Sequence, residues 1–85
     1  MHLEILTPQK TIFNGEIKLI KVPGSQGSFE ILKNHAPIIS TLEKGEVKIV
    51  TTTDEVIQYT IDAGVVQAVD NKITVLAESL VTVNS

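Results

Sequence analysis

Ten valines, eleven isoleucines and nine threonines make up thirty of the 85 residues, and that bias constrains the fold more than any other feature of the chain. β-Branched side chains lose rotamer freedom in a helix and pack well on a pleated surface, so the chain is expected to be all-β. Strands are expected over residues 2–6, 11–13, 16–22, 27–32, 38–42, 46–52, 56–61, 65–69, 72–76 and 80–83, about ten short strands. Turn formers stand between them at Pro8, Asn14-Gly15, Pro23-Gly24, Gly45, Asp54-Glu55 and Asp70-Asn71. Each fixes φ, tolerates positive φ or bonds the local backbone through its side chain. No gap between them holds a crossover helix of about a dozen residues, which favours a two-sheet β-sandwich over an α/β fold.

At this length the chain buries one core, so residues 1–85 form a single domain. Glu46-Val47-Lys48-Ile49 alternates charged and apolar side chains, which puts one face in water and the other in the core. The same alternation assigns Ile57, Tyr59 and Ile61 to the core face of their strand, with the Tyr59 hydroxyl at the rim. Val65 and Val66 are adjacent, so one of them must point outward. No internal repeat, linker or low-complexity tract interrupts the pattern.

Several function classes fall away. The chain has no cysteine, which removes disulfide staples, thiolate metal sites and cysteine nucleophiles together. A formal charge of −3, with seven lysines and no arginine, suits a nucleic-acid backbone poorly, so no nucleic-acid partner is expected. No window approaches the roughly 18 uncharged apolar residues of a membrane span, and a soluble chain without an export signal is expected. His2 and His35 have no histidine partner at ligand spacing, so neither a metal site nor a cofactor is expected. Gly24-Ser25-Gln26-Gly27 has the small residues of a tight turn but no following helix, as a nucleophile elbow or phosphate loop would require. Without a converging polar constellation, the chain is not expected to be an enzyme.

The stretch Gly27-Ser28-Phe29-Glu30-Ile31-Leu32-Lys33-Asn34-His35-Ala36-Pro37 resembles the GxFGILPNHAP signature of the epsilon subunit of F-type ATP synthases. Glu30 stands where that family usually has Gly, and Lys33 where it has Pro. Thr7-Pro8, Phe13-Asn14-Gly15-Glu16 at the first hairpin, Val22-Pro23-Gly24, Gly45-Glu46-Val47, Ala63-Gly64 in place of Gly-Gly, and Val75-Leu76-Ala77-Glu78 follow in the family's order. The resemblance thus covers nearly the whole chain.

It implies the N-terminal β-sandwich domain of a non-catalytic rotor subunit in the central stalk. Such a subunit clamps the gamma subunit to the membrane c-ring and couples ion translocation to ATP synthesis. It implies a place on the cytoplasmic face of a bacterial plasma (inner) membrane, peripheral and held there only through the complex. Gly24, Ser25, Gln26, Gly27 and Ser28, with Asn34 and His35, are expected to face the c-ring; Thr7, Pro8, Ile38 and Ser40 are expected to face gamma. For His35 two roles stay open. Its ring bonds a nearby carbonyl and locks the corner before Pro37, behind an Asn34 in left-handed φ, or it acts by hydrogen bonding at the ring surface. Family members usually continue into two C-terminal helices, the first of which contributes to ATP binding in some. Residues 80–83 here are strand-like, and no ATP binding or inhibition of hydrolysis is expected of the chain.

The alternative from another class is a lipoyl or biotinyl carrier domain, with Lys72 on an Asp70-Asn71-Lys72 hairpin tip, although neither acceptor sequence (Asp-Lys-Ala or Ala-Met-Lys-Met) is present. An oligonucleotide-binding barrel needs stacking aromatics on a basic face, and Phe13, Phe29 and Tyr59 on an acidic chain do not supply one.

Overall fold

The computed structural model describes the backbone of residues 1–84 and the side chains of residues 1–81. These contain nine strands and no helix: β1 His2–Leu6, β2 Thr11–Val22, β3 Phe29–Leu32, β4 Ile38–Leu42, β5 Gly45–Thr51, β6 Val56–Ile61, β7 Gly64–Val69, β8 Lys72–Ala77 and β9 Leu80–Asn84. The all-β expectation holds. One layer runs β4-β7-β8-β1-β2 and the other β3-β2-β5-β6-β9. All strand pairs are antiparallel except β1 with β8.

The two layers share β2, and here the sequence reading is corrected. Asn14-Gly15 is not a turn and does not divide two strands. β2 is continuous over 12 residues, with Asn14 opposite Glu4 and Gly15 opposite Leu3. The first hairpin instead closes at residues 7–10, where the Thr7 amide donates to the Lys10 carbonyl at 2.9 Å and the Lys10 amide to the Thr7 hydroxyl at 3.3 Å. The N-terminal half of β2 pairs with β1, whereas its C-terminal half pairs with β3 and β5.

Ile17 and Ile20 are both fully buried, which the two-residue period of an uninterrupted strand forbids. The register shows the solution: Ile17 lies opposite Thr51 and Leu19 opposite Val50, so Lys18 is an extra residue on β2. Such a bulge switches the phase of the strand. It leaves Lys18 in water, paired with Asp54 of the β5–β6 turn at 2.5 Å, and turns Ile20 and Val22 inward with Lys21 outward.

The inward faces of both layers meet in one core. Leu3, Ile5, Val66, Ile73 and Val75 come from one side, and Ile20, Ile31, Val47, Ile49 and Ile61 from the other. The alternation at residues 46–49 is borne out, as are Tyr59 and Ile61 facing the core; of the valine pair, Val66 is buried and Val65 is exposed. The turns show their chemistry in the backbone. Asp70 and Asn71 both have positive φ (52° and 61°), the type I′ geometry that matches the twist of a two-residue hairpin between Val69 and Lys72. Asp54 (φ 65°) closes the β5–β6 loop.

Gly64 starts β7 between Leu42 of β4 and Ala77 of β8. A Cβ there would collide with the Leu76 carbonyl oxygen and sit 3.2 Å from the Ala77 Cα. Both obstacles are backbone and cannot swing aside, so Gly64→Ala should cost about 1–3 kcal/mol. A urea titration checks this as a lowered midpoint at unchanged slope.

Burial raises the pKa of the Tyr59 phenol above its ordinary 10.0. The folded chain therefore holds this proton more tightly than the unfolded one. Stability is unaffected by the group below about pH 10 and falls as pH rises through the folded pKa. Because Tyr59 is the only tyrosine, its ultraviolet phenolate band should appear above pH 10 together with loss of alkaline stability. Tyr59→Phe should flatten that loss.

Candidate interaction surfaces

β3 and β4 follow one another and form one side edge of the sandwich, β3 at the margin of one layer and β4 at the margin of the other. Residues 24–27 form a tight turn, with the Gly27 amide donating to the Gly24 carbonyl at 2.9 Å and Gly27 at φ 123°. Gly24 bridges to Leu42, and the Ser25 amide donates to the Thr41 carbonyl at 3.1 Å, so the turn staples the two layers together. Gln26, Gly27 and Ser28 are exposed.

At the other end of β3 the His35 amide donates to the Leu32 carbonyl at 3.1 Å. Positive φ falls only on the third residue, Asn34 (65°), which is a type II turn. Lys33 occupies the second position, where proline is favoured but where other residues also fit, so the departure from the signature keeps the turn. Glu30 projects outward from β3. The His35 Nδ1 lies 2.7 Å from the Ala36 carbonyl. A carbonyl only accepts, so Nδ1 carries the hydrogen and a neutral ring presents Nε2 as an acceptor. The corner-locking contact and an outward hydrogen-bonding nitrogen therefore coexist.

The residues expected to face the c-ring lie toward two ends of the sandwich. Gly24 sits at the Leu42–Gly64 end of the sandwich, near Pro8, whereas Asn34 contacts Asn71 at the opposite end, beside His2 and Lys72. The ends are separated by the length of β7, roughly 17 Å. A surface holding Gly24, Ser25, Gln26, Gly27, Ser28, Asn34 and His35 must run along the β3 edge rather than across one end.

Strand parity sets the phase of β4. Ile38 packs against the core and Ser40 shares its inward phase, while Ile39 is 71% exposed. Pro37-Ile38-Ile39 gives no alternation from which to read this phase in the sequence. Ile39 joins Val65, Val69 and Leu76 on the outer face of β4-β7-β8, and Leu6 lies directly opposite Leu76. Thr7 is half-buried beside this face, and Pro8 helps to line a hollow of about 410 Å³ with Val65, Leu76 and Glu78.

Among the described residues no polar or charged side chain is buried, and no three of His, Cys, Asp and Glu are grouped to hold a metal. Glu16 is held below the ordinary carboxylate value, chiefly by the hydrogen bond from His2 Nδ1 at 2.8 Å. Lys72 is the first residue of β8, paired with Val69 and His2, and is not the apex of its hairpin. No helix among the described residues is long and apolar enough to cross a membrane.

Residues 1–83 match the family model for the β-sandwich domain of the ATP synthase delta/epsilon chain. The ATP synthase epsilon chain of Chlorobium limicola is 35% identical over 78 residues, which are 92% of this chain and 89% of that one. The epsilon chain of Campylobacter fetus is 39% identical over 83 residues, 98% of this chain but 64% of that one. Against the epsilon chains of Desulfatibacillum aliphaticivorans and Protochlamydia amoebophila this chain spans 55% of their length. A chain in the Euglena gracilis mitochondrial ATP synthase shares the fold, with a TM-score of 0.86 over 93% of this chain and 51% of that one at 18% identity. With the signature on the β3–β4 edge and the match running through all but the last two residues, the chain belongs to the ATP synthase delta/epsilon family, of which it forms the β-sandwich domain.

Proposed function

We propose that this domain is a non-catalytic part of the rotor of a bacterial F-type ATP synthase, gripping gamma with one face and the membrane c-ring with one edge. The observation that carries the proposal is the family match over residues 1–83, coupled to an exposed apolar sheet face on a small acidic chain. Ile39, Val65, Val69 and Leu76 project from adjacent strands of one layer. Exposed apolar groups clustered in this way mark a docking surface. Gamma is assigned to this face, with Thr7 and Pro8 at its end and the exposed Ile39 beside Ile38 and Ser40 on β4. The c-ring is assigned to the turn of Gly24, Ser25, Gln26, Gly27 and Ser28, with Asn34 and His35, along the β3 edge; Gly24 is itself buried and holds the turn through its bridge to Leu42.

Mechanically, such a part must carry torque without yielding. The shared β2, the Gly24–Leu42 bridge and the continuous core leave no hinge between the layers, and close-packed interiors transmit strain. The subunit then couples ion passage to ATP synthesis by rigid connection and needs neither metal nor cofactor nor bound ATP. Its place is peripheral, on the cytoplasmic face of the plasma membrane, through its partners alone. Supporting this over a carrier domain, Lys72 lies in strand register and its hairpin is tied to its neighbours.

The test is recovery from membranes with the tagged chain. The native chain should bring down gamma and the ring subunit. Ile39→Asp should cut gamma recovery at least several-fold with an unchanged melting temperature, since Ile39 contributes little to the core. Recovery of neither protein, or full recovery with Ile39→Asp, contradicts the proposal.

A further inference from the structure

Asn34 and Asn71 stand 37 residues apart and face each other. The Asn34 amide donates to the Asn71 Oδ1 at 2.6 Å, and the Asn71 Nδ2 donates to the Asn34 Oδ1 at 3.1 Å. Both residues are in left-handed backbone, one at the third position of a type II turn and the other at the third position of a type I′ turn. Glycine is the favoured residue at both positions. Asparagine stands at both, and in both cases the side chain is used on the other turn. The Asn71 carbonyl also accepts from the His2 amide at 2.9 Å, so one residue ties β1, the β7–β8 hairpin and the β3–β4 turn together.

From this geometry we infer that Asn71 is a positioning residue for the His35-bearing turn, and that the Asp70-Asn71 hairpin and the His35 turn act as one docking element. The inference rests on the assignment of His35 to a partner-facing surface. Residues 33–37 are all exposed, and within the turn only the Leu32–His35 hydrogen bond and the His35–Ala36 contact hold the ring. Those bonds define the local shape of the turn but not its placement against the sandwich. The asparagine pair supplies that placement. It fixes the turn, and hence Nε2 of His35, relative to β7 and β8, the strands that carry the exposed apolar face.

Asn71→Gly separates the contact from the turn, because Asp-Gly is among the best pairs for a type I′ hairpin. Asn34→Gly suits the type II turn and removes only the Nδ2–Oδ1 bond, because the amide that donates to Asn71 Oδ1 is backbone and glycine keeps it. In Asn71→Gly the His35 amide should exchange with solvent about tenfold faster, as expected when two hydrogen bonds are lost from an exposed site, and in Asn34→Gly, which loses one, by a smaller factor. Affinity for membranes stripped of this subunit should fall by a similar factor while the melting temperature stays nearly constant. The double variant should be no worse than Asn71→Gly alone, the mark of one shared interaction. Unchanged exchange at His35, or additive losses in the double variant, overturns the pairing. Faster exchange with normal docking overturns the positioning role. His35→Ala assigns that failure: if it too docks normally, the partner-facing surface was misplaced; if it docks poorly, only the role of Asn71 falls.

Discussion

One extra residue on one strand makes this sandwich possible. β2 must serve two layers, and a strand with a strict two-residue period cannot offer Ile17 to the core at one point and Ile20 and Val22 further on. The bulge at Lys18 resets the phase. Without it, either Lys21 would enter the core or Ile17 would leave it, and burying an unpaired ammonium costs far more than the isoleucine gains. The Lys18–Asp54 pair is exposed and adds little by itself. Its significance is that the excess residue is one that water accepts.

Stiffness follows from the same arrangement. The layers are not two sheets joined by a loop but parts of one hydrogen-bonded path that turns through β2. The sides are then closed by short polar contacts: the Ser25–Thr41 hydroxyl pair at one end of the β3–β4 edge, and the Asn34–Asn71 pair at the other. A part proposed to relay torque would gain from this, since close-packed interiors transmit strain.

The sequence disclosed the fold class and most strand positions through composition and turn spacing, because β-branched content and turn formers act locally. It hid what depends on partners across the sheet. Asn14-Gly15 has the residues of a hairpin turn, yet pairing with Leu3 and Glu4 holds it extended; tertiary pairing overrode the local preference. The bulge could have been read from Ile17 and Ile20 as a phase break, had the stretch been treated as one strand. For the candidate surfaces, the signature located the β3–β4 edge, but it could not show that residues 24–28 and 34–35 lie at opposite ends of it. Nor could it show that Ile39, not Ile38, faces outward. Asn71 carried no signal in isolation, because its role exists only once the chain has brought it to Asn34.

The central claim is that the outer face of β4-β7-β8 is covered by the central stalk while the opposite layer's outer face is not. The chain has no cysteine, so single cysteines report the two faces cleanly, and both Ile39 and Val56 of β6 are well exposed in the free domain. Maleimide labelling of Ile39→Cys and Val56→Cys should be fast for both in the isolated chain. In the assembled enzyme Ile39→Cys should be protected at least tenfold, the factor of a burial worth about 1.4 kcal/mol, and Val56→Cys should remain reactive. Equal reactivity of Ile39→Cys in the free chain and in the complex would contradict the account.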